Sequence, residues 1–272
     1  MGYDLIIMAG QSNAVGFGWG DTQFPFIENP RITHLIDTYP IKFVKDENGK
    51  SRLDMPFPPQ LLFESAKEIY AYDKFNGNIA NSFATEYIKS GRLKEGRKIM
   101  IVKTAVGGTG FAKKYWCEGG VCYEKMFYMI DEALKIAGDD SKIVAFLWHQ
   151  GEHDAFEMPE WDSETRAGYY RKHLSALLKA VREKYKPHNF PIIAGEFVRE
   201  WMETHSEQCA AVLSATEDVF RDIGNAKLTS SAGLLSNGKQ NDTDDILHFS
   251  KESLAIFGKR YYASFEELVG KI

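Results

Sequence analysis

The sequence has little of what marks several large classes of protein. Only three of its 272 residues are cysteine, which excludes a disulfide-rich scaffold. No apolar run approaches the ~20 residues that a membrane-spanning helix needs, so we expect no membrane partner. There is also no block of Lys or Arg, and the formal net charge is −5, so we expect no nucleic-acid partner.

The N-terminus bears on the cellular compartment. A secretory signal begins with a basic segment that is followed by ~7–15 apolar residues. Here residues 1–4 lead directly into Leu-Ile-Ile-Met (5–8), which is typical of a first core strand. We therefore expect a cytoplasmic protein, or a secreted one whose signal has been removed. In a reducing compartment, Cys117 and Cys122 are expected to be thiols rather than a disulfide.

The sequence does contain a regular alternation of short apolar runs with helical patterns. Apolar residues make up 44% of the chain, which is enough for a large core. Short, nearly continuous apolar runs are typical of strands that are buried on both faces. Their alternation with helices predicts an α/β/α sandwich, in which helices cover both faces of a parallel sheet. The five predicted strands are residues 3–9, 98–105, 143–149, 191–197 and 225–229.

One stretch departs from this alternation. Residues 17–76 hold six of the nine prolines and several aromatic residues. Residues 32–35 and 41–44 are predicted to be strands of a small hairpin, and Asp-Glu-Asn-Gly (46–49) is predicted to be a turn. We interpret the stretch as a long insertion in a single domain that spans residues 1–272. Because it follows the first strand, we expect part of it to border a ligand pocket at that edge of the sheet.

Polar motifs follow several of the predicted strands. In an open parallel sheet, ligands bind beyond the carboxyl ends of the strands, where the strand order reverses. These motifs lie at this edge or before the last helix. They provide a hydroxyl, histidines, carboxylates and flexible backbone donors. They are Gly-Gln-Ser-Asn (10–13), Gly-Gly-Thr-Gly (107–110), His-Gln-Gly-Glu-His-Asp (149–154) and Asp-Ile-Leu-His (245–248).

Each of these motifs has a structural and a catalytic interpretation. A serine after a strand, such as Ser12, is most often a helix N-cap, but it can also be a nucleophile on a tight turn. Asp245 stands in a turn before a helix, where Asp is common. Its offset of three residues can also place the carboxylate on Nδ1 of His248, which leaves Nε2 to accept a serine proton. Tyr115 and Trp116 fit either the core or the wall of a sugar site.

Two motifs suggest a cofactor but lack the required context. His-Gln-Gly-Glu-His (149–153) matches a metalloprotease pattern, yet it ends a predicted strand and contains Gly151, whereas that chemistry needs both histidines on one helix face. Here we expect His149 to be a packed, hydrogen-bonded residue and Asp154 to cap the following turn. Residues 16–20 are glycine-rich but lack dinucleotide-loop spacing. We therefore expect no metal and no organic cofactor.

The motifs taken together are far more specific than any one of them. Their identity and order resemble the SGNH hydrolases, and more narrowly the sialate O-acetylesterase-like branch that includes the acetylxylan esterases of carbohydrate esterase family six. The resemblance spans residues 3 to about 265 and is weakest over 17–76 and 198–240. It implies a flavodoxin-like sheet of five parallel strands in the order 2-1-3-4-5.

The resemblance also implies catalytic roles. Ser12 matches the nucleophile, His248 the general base and Asp245 the acid of the terminal Asp-x-x-His motif. Glu152 stands where related acetylxylan esterases carry a carboxylate that assists the histidine.

Further residues match the parts of the family's site that hold the substrate. The oxyanion hole would comprise the backbone of Ser12, the backbone of Gly108 or Gly107, and the side chain of Gln150. We also expect the substrate to contact Gln11, Asn13 and Trp116.

The function that the resemblance implies is hydrolysis of O-acetyl esters on a carbohydrate, through an acyl-enzyme on Ser12. Xylan fragments, sialic acids and other acetylated glycans are all compatible substrates. Two alternatives are a lipid or general short-chain esterase on the same scaffold, and a non-catalytic carbohydrate-binding module. No pattern in the sequence predicts an oligomeric state.

Overall fold

A mostly parallel sheet forms the centre of the molecule in the computed structural model, which describes residues 2–20, 29–39, 42–49, 51–65 and 79–270. Within these residues, seven strands form the main sheet and two form a separate hairpin. The strands are β1 (Tyr3–Gly10), β2 (Ile32–Asp37), β3 (Lys42–Lys45), β4 (Ser51–Asp54), β5 (Leu61–Ser65), β6 (Lys98–Lys103), β7 (Lys142–His149), β8 (Ile192–Gly195) and β9 (Ala226–Thr229).

The main sheet has the order β5-β2-β6-β1-β7-β8-β9. Strand β5 is antiparallel to β2, and every other pairing in this sheet is parallel. The fold class is therefore as predicted, and the five predicted strands (now β1, β6, β7, β8 and β9) have the predicted relative order. The predicted strand count is wrong, because the described residues contribute seven strands to this sheet rather than five.

The two additional strands come from the insertion, and the predicted hairpin is corrected accordingly. Strand β2 pairs with β6 inside the main sheet instead of with residues 41–44. The hairpin consists of β3 and β4 around the predicted turn, where the Gly49 amide donates to the Asp46 carbonyl at 2.9 Å. Residue 41 lies outside the described residues. Burial explains the difference, since most of β2 is buried whereas β3 is mostly exposed.

Helices cover both faces of the sheet, as predicted. They are α1 (Ser12–Val15), α2 (Ile79–Lys89), α3 (Val121–Ala137), α4 (Glu152–Phe156), α5 (Ser163–Lys184), α6 (Arg199–Thr204), α7 (Ser206–Ile223), α8 (Asn237–Asn241) and α9 (Lys251–Val269), with a 3-10 turn at Lys186–His188.

The central strand β1 shows how the two layers are built. Successive side chains of a strand point to opposite faces, so Leu5 and Ile7 join a core with α3, α5 and α7. Ile6 and Met8 join a second core with α2 and α9. Burial on both faces is the reason that this strand is continuously apolar.

Two further features of the described residues are relevant to the sequence analysis. Cys117, Cys122 and Cys209 are all free cysteines. None of the described helices combines the length and the hydropathy that crossing a membrane requires.

Candidate active site

A pocket of about 700 Å³ opens at the carboxyl edge of the sheet, beyond the ends of β2, β6, β1 and β7. Its walls bring together segments that are far apart in the sequence. Six of the predicted site residues line it: Gln11, Ser12, Gly107, Gly108, Glu152 and His248. The insertion also contributes to the walls, through Phe17, Ile36, Asp37 and Phe43.

A tight turn presents Ser12 to this pocket. Gly10 ends β1 at a φ of +133°, and a Cβ at this position would overlap the carbonyl oxygen of His149. Only glycine permits the two strand ends to approach so closely. The next amide, that of Gln11, donates to the same carbonyl at 2.9 Å. Ser12 is then the first residue of α1 rather than its N-cap, which is Gln11. The structural interpretation of Ser12 as an N-cap is therefore wrong.

Asp245 orients His248 from the same turn. Nδ1 of His248 lies 3.0 Å from both carboxylate oxygens of Asp245, and the His248 amide donates to Oδ1 at 3.1 Å. Asn237 donates to Oδ2 at 2.9 Å. Burial alone would raise the pKa of Asp245, but the hydrogen bond from Asn237 and the charge and hydrogen bonds of His248 outweigh it and lower that pKa. An ionised Asp245 accepts the Nδ1 proton, which leaves Nε2 as a base.

The imidazole of His248 and the hydroxyl of Ser12 belong to residues that line the same pocket. Ser12 and His248 both line it, and the ring of Phe17 stacks on the imidazole with centroids 5.5 Å apart. In the described part of the chain, no hydrogen bond joins the Ser12 hydroxyl to His248. Such catalytic hydrogen bonds are often long before substrate binds, so the arrangement remains compatible with proton transfer.

Glu152 reaches His248 only indirectly. Its Oε1 accepts from Asn13 Nδ2 at 2.8 Å and lies 3.1 Å from His149 Nε2. Asn13 in turn donates to the carbonyl of Leu247 at 3.2 Å and accepts from the amide of Phe249 at 3.0 Å. It thus holds the backbone on both sides of His248. Burial would raise the pKa of Glu152, but the charge of His149 and hydrogen bonds from His149 and Asn13 lower it.

Two residues predicted to contact substrate lie in the interior instead. Asn13 is fully buried, and its amide is occupied by Glu152 and the backbone around His248. Trp116 is also fully buried, where it donates to Thr109 Oγ1 at 2.8 Å and packs edge-on against Trp148. Tyr115 packs partly buried against the same core. The sugar-wall interpretation of Trp116 is therefore corrected to a core role.

Gln150 is engaged inside the protein rather than facing the pocket. Its Nε2 donates to Asp154 at 2.6 Å and lies 3.2 Å from both Gln11 Oε1 and the Thr109 carbonyl. The Tyr170 hydroxyl donates to the backbone carbonyl of Gln150 at 2.8 Å and lies 3.2 Å from Oε1, on the oxygen side of the amide. Two N–H groups that already have three acceptors are not available to a substrate oxyanion. The structure thus places the predicted side-chain donor behind the pocket.

Gln11, unlike Gln150, is among the residues that line the pocket. Its Oε1 accepts from Gln150 Nε2 at 3.2 Å and from the His153 amide at 3.1 Å. With the oxygen held by two donors, the nitrogen end of this amide is the end available to a ligand, and Gln11 lines the pocket. Both residues are glutamines, so the order of the motifs alone does not show which of the two side chains lines the pocket.

The glycine loop after β6 is held in place by Asp154. Gly108 has a φ of +67°, and a Cβ at Gly107 would lie 3.9 Å from the Cβ of Ser12, so the loop runs beside the hydroxyl. Oδ2 and Oδ1 of Asp154 accept from the amides of Phe111 at 3.1 Å and Ala112 at 2.6 Å. Asp154 therefore anchors this loop, rather than capping its own turn as predicted. Burial raises the pKa of Asp154 to about 6, despite these hydrogen bonds.

Asp154→Asn is expected to reduce turnover about 10²-fold, the cost of losing one oxyanion donor, because the loop that carries Gly108 loses its anchor. An amide has only one acceptor oxygen, and its NH₂ group would face the donors that Asp154 now satisfies. Unfolding free energy is expected to fall by about 1–3 kcal/mol. Steady-state kinetics and thermal unfolding measure the two effects.

The matched control is Asp162→Asn, because Asp162 caps α5 at an exposed position and Asn is an equally good N-cap. A folded Asp154→Asn variant with the turnover of the unmodified protein would contradict this role.

Comparisons with known proteins agree with the geometry. The family model for carbohydrate esterases described as sialic acid-specific acetylesterases matches residues 2–267. The chain belongs to this family, which confirms the resemblance seen in the motifs. It is accordingly a carboxylic ester hydrolase of the carbohydrate-esterase class. A search of curated protein sequences found no match.

Solved structures show the same fold. NanS is 16% identical in sequence to this chain and has a TM-score of 0.70. The alignment covers 98% of this chain and 97% of NanS. An Arabidopsis thaliana protein is 19% identical with a TM-score of 0.63 over the full length of both chains. A carbohydrate acetylesterase from Xanthomonas citri is 14% identical with a TM-score of 0.60, covering 97% of this chain and 56% of the other. At these identities the likeness concerns the fold alone.

Proposed function

We propose that this protein hydrolyses O-acetyl esters on carbohydrates through an acetyl-enzyme on Ser12. The observation that carries the proposal is that Ser12 and the Asp245-oriented His248 line one pocket. The family supports a carbohydrate ester as the substrate. An acetylated carbohydrate is therefore the partner that we assign to the pocket.

Each step of the reaction follows from the groups that line the pocket. The Ser12 oxygen attacks the acetyl carbonyl carbon while Nε2 of His248 takes the hydroxyl proton. As the ester C–O bond breaks, His248 gives that proton to the departing sugar oxygen. Water then attacks the acetyl-enzyme with His248 again as the base. Acetate leaves, and the Ser12 hydroxyl is restored.

Backbone amides of Ser12 and Gly108 are the donors that we assign to the oxyanion. Neither amide donates a hydrogen bond within the described part of the chain, and both residues line the pocket. The glycine at 108 supports this role, since its positive φ turns the loop beside Ser12. Gly107 is the alternative backbone donor. The side-chain donor in this proposal is Gln11 Nε2 in place of Gln150.

The first test is acetate release by the purified protein from a panel of monoacetylated glycosides. An acyl-chain series on one aryl leaving group distinguishes the alternative of a general or lipid esterase. Turnover that falls sharply beyond acetyl supports the proposal, whereas turnover that rises with chain length contradicts it.

Labelling of Ser12 by a fluorophosphonate probe, located by peptide mass spectrometry, separates an enzyme from a carbohydrate-binding module.

Metal removal is expected to leave turnover unchanged, because no proposed step uses a metal. The described residues contain no group of three or more His, Cys, Asp or Glu side chains placed to hold an ion. In the metalloprotease-like motif, both ring nitrogens of His149 have partners, Tyr261 at 2.9 Å and Glu152 at 3.1 Å. Assays before and after EDTA treatment test this. A loss of activity that zinc restores would contradict the proposed mechanism.

A further inference from the structure

A buried ion pair lies in the wall of the pocket that also holds Ser12. Nζ of Lys125, near the start of α3, is 3.1 Å from Oδ2 of Asp37, at the end of β2. Both side chains are almost fully buried, at 3% and 2% exposed, and both residues line the pocket. A buried ion pair often stabilises a fold less than apolar residues would, so its presence in a pocket wall calls for another explanation.

The hydrogen bonding of this pair is incomplete. Oδ1 of Asp37 accepts from the amide of Tyr39 at 3.0 Å. Oδ2 is buried and accepts no hydrogen bond within the described residues, although it faces the ammonium group. The ammonium group compensates the charge of this oxygen without an aligned hydrogen bond, so Oδ2 can still accept one from a ligand hydroxyl. Lys125 has three donors on its ammonium group and so can serve a second ligand oxygen.

The position of the pair suits a substrate that reaches Ser12. Strand β2 is two places from β1 in the sheet, which corresponds to a lateral distance of about 10 Å. An acetylated sugar can bridge that span. Phe43 also lines the pocket, and its ring would be 3.2 Å from a Cβ at Gly108, which places it beside the glycine loop. The pocket thus offers an aromatic surface beside the loop that carries Gly108.

We infer that Asp37 and Lys125 form a subsite that binds two neighbouring hydroxyl groups of the acetylated carbohydrate. One hydroxyl donates to Asp37 Oδ2, and the next accepts from Lys125 Nζ. The pair carries no net charge, so it is matched to a neutral diol rather than to an acid. This inference rests on the proposed function, and it assigns part of the sugar selectivity to the insertion.

The test uses three substrates: an acetylated methyl xyloside with its other hydroxyls free, the same compound with those hydroxyls methylated, and 4-nitrophenyl acetate. Asp37→Asn and Lys125→Met are the variants. We expect each to reduce kcat/KM on the free-hydroxyl glycoside by about 10- to 100-fold. Activity on the methylated glycoside and on the aryl acetate is expected to stay unchanged. Lys135→Met, which removes an exposed lysine from the same helix, is the matched control.

The outcomes separate this inference from the proposed function. Equal losses on all three substrates, or no loss on any, would overturn the diol subsite while leaving acetyl-ester hydrolysis intact. An acetylated sugar acid is the fourth substrate, for the charge alone: a gain by Asp37→Asn on it would also overturn the inference, since the pair would then act on a carboxylate. If the unmodified protein hydrolyses the aryl acetate but no glycoside, both proposals fail. Should Lys125→Met not fold, the isosteric Asp37→Asn variant decides the question alone.

Discussion

Ser12→Ala is expected to abolish acetyl-ester hydrolysis, with a loss in kcat on the order of 10⁶-fold, the scale seen when a serine hydrolase loses its nucleophile. Without the hydroxyl, no acetyl-enzyme can form, and His248 has no proton to accept. The fold should be preserved, because the Ser12 side chain makes no hydrogen bond within the described part of the chain. The measurement is turnover of an acetylated glycoside and of an aryl acetate, together with thermal unfolding.

Ser163→Ala serves as the control for this result. Ser163 is an exposed residue in the first turn of α5 that is not among the residues lining the pocket, and its hydroxyl is not part of the helix cap. It should keep full turnover. If Ser12→Ala turned over substrate as fast as this control, the nucleophile would be another group and the proposed mechanism would be wrong.

Asp245→Asn is expected to reduce kcat by ~10⁴-fold, because an asparagine favours the wrong tautomer of His248. The carboxylate now accepts from Nδ1, at 3.0 Å to each oxygen, which keeps Nε2 unprotonated and ready to accept. An amide that donates to Nδ1 would place the proton on Nε2. Asp244→Asn, at the exposed neighbouring residue, is the matched control and should be neutral.

Glu152→Gln is expected to cost much less than Asp245→Asn. Glu152 acts on His248 through Asn13, and a glutamine keeps one oxygen that can accept from the Asn13 amide. Both changes act on His248 through one hydrogen-bond network, so we expect the loss in kcat of the double variant to differ from the product of the two single losses. Turnover of one acetyl ester by both single variants and the double variant tests this. Near-full activity in Asp245→Asn beside an inactive Glu152→Gln would show that Glu152 is the principal acid.

Much of the fold was predictable because its signals are local. The run Leu5–Met8 reads as a strand covered on both faces, and the structure splits its side chains between two cores. The contact between Asp245 and His248 spans three residues, so local backbone geometry almost dictates it. The turn at 46–49 likewise follows from its Asp and Gly.

The insertion was less predictable for a physical reason. Whether β2 joins a hairpin or the main sheet depends on the exposed edge of β6, which is more than 60 residues away in the chain. The alternation of apolar and polar residues in β2 fits either pairing. The prediction that the insertion borders the pocket nevertheless holds, with Phe17, Asp37 and Phe43 in its walls.

The orientation of each polar side chain at the site is the part that only packing decides. Gln11 and Gln150 have the same chemistry and follow adjacent strands, yet one faces the pocket and the other donates to Asp154 behind it. Asn13 turns inward because Glu152 and the backbone around His248 offer it partners there. These partners lie more than 100 residues from it in the chain. Spacing therefore determines which residue types gather at the sheet edge, and long-range hydrogen bonds determine which of them a substrate can touch.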